Sequence, residues 1–317
     1  MMRITATAIA CVLSTSALAA ELDCSTVRVI VPYPAGGAAD VGARLLGDYA
    51  AAKLGKTFVI ENKAGASGNI GTELVIGSAK DGCTLLVNSN VLASFPYSFG
   101  KLRFDPFKDL VVLSAIGTAP TFIVTANKSI VDLNDLQEWS RKSPDGLSYG
   151  STGYGLLAHL AVEEIAARTG AKFMHVPYRG GGQATTDMIS GRLDFGSFAA
   201  GTVLPFILQK QIKVVTVVQP GRSVLAPDVR TTAEQGIPDI DASLPFMFFA
   251  PGGTPAPVVA RLSAVLNEAA EKPEISAKLL QLGYEPLRID PAEGANIFRE
   301  TADHWAPVIK RLGIKIE

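Results

Sequence analysis

Val29-Ile30-Val31-Pro32-Tyr33-Pro34-Ala35-Gly36-Gly37-Ala38-Ala39-Asp40 carries a β-branched run into two prolines, a glycine pair and the start of an apolar-striped segment. Val29 to Val31 suit a strand buried on both faces, and Pro32 and Pro34 end its ladder by removing backbone donors. Gly36 and Gly37 permit a tight turn and close approach of a ligand, and Val41, Leu45 and Leu46 then mark a helical stripe. A strand running into the unpaired amides of a helix start can hold a carboxylate or phosphate. A purely structural glycine turn remains the alternative reading of these residues.

The same grammar recurs downstream. Thr57 to Glu61 reads as a second strand, Asn69 to Ser78 as a helix and Thr84 to Asn88 as a third strand, the alternation of parallel crossovers. Between them Asn62-Lys63-Ala64-Gly65-Ala66-Ser67-Gly68-Asn69 is a second glycine-rich turn, and Asn88-Ser89-Asn90 places small polar groups at a third strand end. Ligands of open α/β sheets collect at that edge. Leu147 to Leu160 repeats the pattern around Ser151, Thr152, Gly153, Tyr154 and Gly155. Phe173 to Gln183 repeats it around Tyr178, Arg179, Gly180 and Gly181, where the Arg179 guanidinium suits a carboxylate.

With 317 residues and 48% apolar content the chain can fill two cores. Lys and Arg number 29 against 30 acids, a net charge of -1 that offers nothing to nucleic acid. Met1-Met2-Arg3, an apolar run from Ile4 to Leu13 and Ala17-Leu18-Ala19-Ala20 describe a cleavable signal peptide over residues 1–20. Export would remove Cys11 and leave Cys24 and Cys83, each just ahead of a strand. If those strands are parallel neighbours, both thiols lie at one sheet end, and a disulfide is expected in an oxidising compartment. His159, His175 and His304 are far apart in sequence and lack metal-ligand spacing, so no metal is expected, and His159 reads as a satisfied helix histidine.

Two passages change the rhythm. Leu113 to Val124 is too long for one ordinary strand and is broken by Pro120, and Leu244-Pro245-Phe246-Met247-Phe248-Phe249-Ala250-Pro251 is apolar and flanked by prolines. Both read as crossings, giving a discontinuous outer lobe of 21–122 plus 243–317 and an inner lobe of 123–242. Two crossings make a hinge over a cleft. A final stripe of Ile297, Trp305, Val308, Ile309 and Leu312 is expected to pack on the outer lobe, with Glu274, Glu285 and Glu293 solvated.

Taken in order, Pro34-Ala35-Gly36-Gly37-x-x-Asp40, Glu61-Asn62-x-x-Gly65-Ala66-x-Gly68-Asn69-x-Gly71, Asp81-Gly82-x-Thr84-Leu85-Leu86, Gly150-Ser151-x-Gly153-x-Gly155 with His159-Leu160, and His175-Val176-Pro177-Tyr178 with Ala250-Pro251-x-Gly253-Thr254-Pro255 resemble the Bug/TctC family. These are periplasmic solute receptors of tripartite tricarboxylate transporters, and the resemblance covers nearly all of the mature chain. It implies an α/β, two-lobed Venus-flytrap fold of the type II binding-protein kind, with two parallel-type sheets and a double-crossover hinge. It also implies a monomer without cofactor that binds a small organic carboxylate through loop amides and bridging waters, for delivery to the transporter's membrane subunits.

Carried over by position, the ligand set is Tyr33, Ala35, Gly36, Gly37, Asn88, Ser89, Ser151, Thr152, Gly153, Tyr154, Gly155, Arg179, Gly180, Gly181 and Phe246. Leu156 and Gly181 stand where relatives often carry hydroxyls, and Pro245 and Phe246 stand where a tryptophan is usual. Fewer hydroxyls and the rings of Tyr33, Tyr154 and Phe246 suit a flat acid such as terephthalate or a benzoate. Other outputs are a co-receptor for a sensor kinase and, more remotely, a secreted hydrolase. Ser151 lies in Gly-Ser-Thr-Gly rather than Gly-x-Ser-x-Gly, with no evident His and Asp partners. An NAD enzyme would need Gly-x-Gly-x-x-Gly, whereas Gly150-x-x-Gly153-x-Gly155 reverses that spacing.

Overall fold

The computed structural model describes residues 22–178 and 180–316. The expected signal peptide and Arg179 lie outside the described residues. Among those described, no helix is long and apolar enough to cross a membrane.

The opening strand β1 (Thr26–Val31) buries Val27, Val29, Ile30 and Val31 completely. Helix α1 (Ala38–Leu54) follows and ends at Gly55, whose φ of 64° is the left-handed stop that favours glycine. Its buried stripe is Ala39, Ala43, Leu46 and Ala50, while Val41 and Leu45 are only half-buried. Small residues thus let the helix approach the sheet more closely than the Val41–Leu45–Leu46 stripe suggested. Strand β2 (Thr57–Asn62), helix α2 (Asn69–Ile76) and β3 (Thr84–Ser89) complete a parallel trio centred on β1. Cys24 and Cys83 sit just ahead of β1 and β3 and form a disulfide, with Cα atoms 6.2 Å apart.

After two short helices, α3 (Phe95–Ser98) and α4 (Pro106–Asp109), the chain runs through β4 (Leu110–Ala119), turns at Pro120 and enters β5 (Thr121–Thr125). From there α5 (Leu133–Lys142), β6 (Leu147–Ser151), α6 (Leu157–Thr169), β7 (Phe173–Pro177), α7 (Gly181–Ile189), β8 (Phe195–Ala199), α8 (Ala200–Leu208) and β9 (Lys213–Val217) build a second sheet. The chain then returns to the first sheet as β10 (Leu244–Pro251), followed by α9 (Ala256–Ala270), α10 (Pro273–Gln281) and α11 (Pro291–Leu312). Asp132 and Asp135 form a capping box at α5, and Asp290 and Glu293 form one at α11, so Glu293 caps a helix rather than merely facing solvent.

The strand orders are β2-β1-β3-β10-β4 and β7-β6-β8-β5-β9. Both sheets are mixed rather than all parallel. β10 runs antiparallel to β3 and β4, and β5 runs antiparallel to β8 and β9. The crossings account for the reversal, since each strand just beyond one enters its sheet against the direction of the crossover units. The first passage is two strands hinged at Pro120. The second is a full strand of the first sheet, and the return itself occurs just before it, where the Thr121 hydroxyl donates to the Ala242 carbonyl at 2.6 Å.

One apolar cluster joins the two sheets, with Leu86, Val112 and Phe249 on one side, Tyr149 and Phe195 on the other, and residues of α6 and α11 in the same cluster. The last helix therefore does more than cover the first sheet. Arg311 of α11 pairs with Glu164 of α6, and the Trp305 Nε1 donates to the Asp241 carbonyl at 3.2 Å.

Candidate functional site

Three helix starts meet at one cavity of about 760 Å³. Tyr33, Gly36, Gly37, Ala38 and Ala39 come from the β1–α1 turn, Gly180 and Gly181 from the start of α7, and Ala199, Gly201 and Thr202 from the start of α8. Phe246 of β10 and the stretch from Gln281 to Tyr284 close the wall, with Leu282 among them, and Leu204, Pro205 and Leu208 add an apolar side. No charged side chain lines the cavity among the described residues. Any charge it accepts is met by backbone dipoles and a few hydroxyls.

The β1–α1 loop is fixed by a buried carboxylate. Asp40 is 2% exposed, accepts from the Gly36 amide at 2.9 Å and from Asn62 at 3.0 Å, and receives a two-pronged contact from Arg44. Burial alone would raise its pKa, but Arg44, the Gly36 amide and Asn62 outweigh that and hold it below the usual carboxylate range. The consequence for binding is specific. Gly36 donates to Asp40 and Gly37 donates to the Pro34 carbonyl at 3.3 Å, so neither glycine amide is free. The bare donors are those of the first helical turn, with Ala38 and Ala39 at the cavity wall. Gly36, at φ 79°, makes the turn possible rather than offering its own N–H.

Of the other expected residues, Asn88 and Ser89 stand behind the wall, 1% and 2% exposed. The Tyr33 hydroxyl donates to Asn88 Oδ1 at 2.7 Å, and burial pushes its pKa up to about 12. Tyr33 and Phe246 do meet, with ring centroids 5.6 Å apart. The third ring is Tyr284, 5.4 Å from Phe246, and not Tyr154, which stacks on His159 away from this wall. Ala35 is exposed on the loop beside the cavity. Ser151 is fully buried and its hydroxyl is hydrogen-bonded to His175 Nε2 at 2.7 Å, a partner that its sequence context did not disclose. Thr152, Gly153, Tyr154 and Gly155 are likewise outside the cavity wall, although a Cβ on Gly181 would stand 3.5 Å from the Thr152 methyl.

Thr202 and Tyr284 were not visible in the sequence as site residues. A side chain at position 181 would collide with Thr202, so the threonine occupies space that a larger residue at 181 would need. Glu285, expected to be solvated, instead accepts from the Ser223 hydroxyl at 2.6 Å and the Val224 amide at 2.7 Å, which anchors the turn bearing Tyr284.

Gly201 and Gly283 bring backbone against backbone where α8 meets the turn after α10. A Cβ on Gly201 would overlap the Leu282 carbonyl oxygen, and neither group can rotate away. Gly201→Ala is expected to cost about 1–3 kcal/mol by overpacking, read from urea denaturation. Gly221→Ala, with nothing within 4 Å of the new methyl, serves as the neutral control. Equal midpoints for the two variants would show that the contact yields freely.

The sequence profile described as "Tripartite tricarboxylate transporter family receptor" (TctC) matches residues 42–314. The chain is 33% identical over 282 residues to the "UPF0065 protein in tcbD-tcbE intergenic region" of Pseudomonas sp. strain P51, covering 88% of this chain and 84% of that one. It is 31% identical over 316 residues to protein BugT of Bordetella pertussis, covering 96% of both. A structure described as a periplasmic transporter superposes with a TM-score of 0.81 at 30% identity, over 92% of this chain and 98% of that one. Two further similar structures carry ligands in their descriptions. Rpa4515 of R. palustris with adipate has a TM-score of 0.82 at 26% identity, covering 92% of this chain and 98% of its own. MatC of Rhodopseudomonas palustris with bound malate has 0.78 at 27%, covering 90% and 98%. This chain, with its two mixed sheets and shared cavity, belongs to the TctC family of tripartite tricarboxylate transporter receptors, and its fold is that of a periplasmic binding protein.

Proposed function

We propose that the protein captures a small organic acid in the cavity where α1, α7 and α8 begin and delivers it to a tripartite tricarboxylate-type permease. The observation that carries this reading is the convergence of three helix N-termini on a cavity without a lining charge among the described residues. Such a site favours an anion whose charge sits at one end and whose body is apolar. The lobes of this reading are 21–122 plus 243–317 and 123–242, supported by the membership of the two sheets. The ligand contacts of this reading are the wall residues named above together with Arg179, whose guanidinium suits a carboxylate. The protein acts in the periplasm as a monomer, after loss of residues 1–20.

Relatives at 26% and 27% identity are described with adipate and malate. Here Tyr33, Phe246 and Tyr284, with Leu204, Leu208 and Leu282, offer rings and aliphatic surface, so an aromatic acid fits better than a hydroxylated tricarboxylate. Thermal-shift measurement with terephthalate, benzoate, adipate, malate and citrate tests this. Ligand at 1,000 times its Kd adds about 4 kcal/mol to stability, and the largest shift is expected from an aromatic acid. A larger shift with citrate would replace the aromatic assignment, and no shift with any acid would remove the carboxylate reading.

A further inference from the structure

His159 and His175, sixteen positions apart in sequence, lie against each other with ring centroids 4.1 Å apart and planes tilted by 31°. They occupy the middle of a column of rings. Phe195 stacks on Tyr149 at 5.2 Å, Tyr149 lies 4.9 Å from His175, and Tyr154 covers His159 at 4.9 Å. The column starts in the core and ends at the half-exposed Tyr154.

Each imidazole also holds the turn between β6 and α6 by a nitrogen. His159 Nδ1 accepts from the Gly155 amide at 3.1 Å, which fixes its proton on Nε2, 3.9 Å from the Glu163 carboxylate. His175 Nε2 is hydrogen-bonded to the Ser151 hydroxyl, and the Ser151 carbonyl accepts from the Tyr178 amide at 3.0 Å. Thr152 reaches the start of α7 beside Gly181. The ring pair is thus linked through Ser151 to the Tyr178 amide, and Thr152 stands near Gly181 of the cavity wall.

We propose that His159 and His175 are positioning residues: through their ring nitrogens they lock the Ser151–Gly155 turn, and through it the backbone at Tyr178, ahead of the start of α7 at the cavity. Burial lowers the pKa of His175 to about 4, and burial with His175 alongside lowers that of His159 to about 3, so both rings stay neutral at ordinary pH, as an accepting Nδ1 on His159 requires. Glu163, which also accepts from the Tyr149 hydroxyl at 2.7 Å, is the carboxylate that faces the His159 Nε2–H. The role of these residues in binding rests on the cavity being the ligand site. Their locking of the turn does not.

The test is therefore run first on ligand-free protein. Backbone hydrogen exchange at pH 7 is expected to rise about 10-fold at Gly155 in His159→Leu, and about 10-fold at Tyr178, whose amide donates to the Ser151 carbonyl, in both His159→Leu and His175→Phe. Amides of α9 should be unaffected. His159→Asn keeps an acceptor near Nδ1 and His175→Gln keeps a polar group near Nε2, so these variants should return to within about 3-fold of the parent. Unchanged exchange at Tyr178, or Asn and Gln variants as loose as Leu and Phe, overturns the proposal. Should the apolar variants fail to fold, nitrogen-15 spectra of the parent decide it: His159 must show protonated Nε2 and an accepting Nδ1, and the opposite tautomer refutes the lock. Altered exchange without any acid binding would count against the receptor reading of the cavity and leave the lock intact.

Discussion

Proline in place of Ala38 is expected to lower the affinity for an organic acid by about 10- to 100-fold and to leave folding almost untouched. Ala38 is the first residue of α1, where proline is favoured because that N–H has no intrahelical partner. Gly37, at φ -73° and ψ 164°, already has the extended geometry that a residue before proline requires. The substitution thus deletes one bare donor at the cavity and little else. A hydrogen bond to a charged group is worth about 1.5–3 kcal/mol, which gives the stated fold-change. Isothermal titration with the best acid from the thermal screen is the measurement, with Ala38→Gly as the variant that keeps the N–H. Unchanged affinity in a folded Ala38→Pro protein would move the anion away from the start of α1.

That prediction rests on a detail the sequence supplied only in part. The strand–glycine–helix turns were legible because prolines and glycines act locally: β2 and β3 lie within one residue of where the sequence places them, and β1 ends at Val31 as expected but begins at Thr26, three residues before Val29. Which amides stay free was not legible, because it depends on Asp40 folding back to take the Gly36 N–H. An acid four residues after a loop glycine is a usable signal for such a capture. Tyr284 and Thr202 were hidden for another reason, since they reach the cavity from the turn after α10 and the start of α8, which abut only when Gly201 and Gly283 come together. The histidines read as scattered because their separation along the chain says nothing of the parallel pairing of β6 and β7 that brings His175 beside the start of α6.

The arrangement also says how closure can depend on ligand. The first sheet contributes the start of α1, and the second contributes the starts of α7 and α8. A carboxylate held by only one of these gains nothing from closure, whereas contacts made by both exist only with the lobes together. The free energy of those second contacts is what shifts the population toward the closed form. On the proposed reading, opening at the cavity breaks only loop contacts, while the apolar cluster shared by the two sheets keeps them joined.

Removing the Cys24–Cys83 bridge by double serine substitution is expected to cost about 4 kcal/mol of stability and no ligand affinity. The bridge closes a loop spanning 59 positions, and the chain-entropy relation for that length gives about 4 kcal/mol, mostly by restricting the unfolded chain. At about 2–4 °C per kcal/mol the unfolding midpoint should fall by roughly 10 °C. A freer unfolded chain exposes more surface, so the denaturant slope should rise as the midpoint falls. Affinity is a separate matter because of where the bridge lies. Cys24 and Cys83 precede β1 and β3, while the turn at the cavity leaves the carboxyl end of β1, six residues and roughly 20 Å away. Those strands remain paired from Arg28↔Thr84 to Ile30↔Leu86 without help from the sulfur atoms. A double-serine protein that stays folded but loses affinity would show that the bridge sets the strand offset on which the α1 turn depends, and would assign it a role in binding as well as in stability.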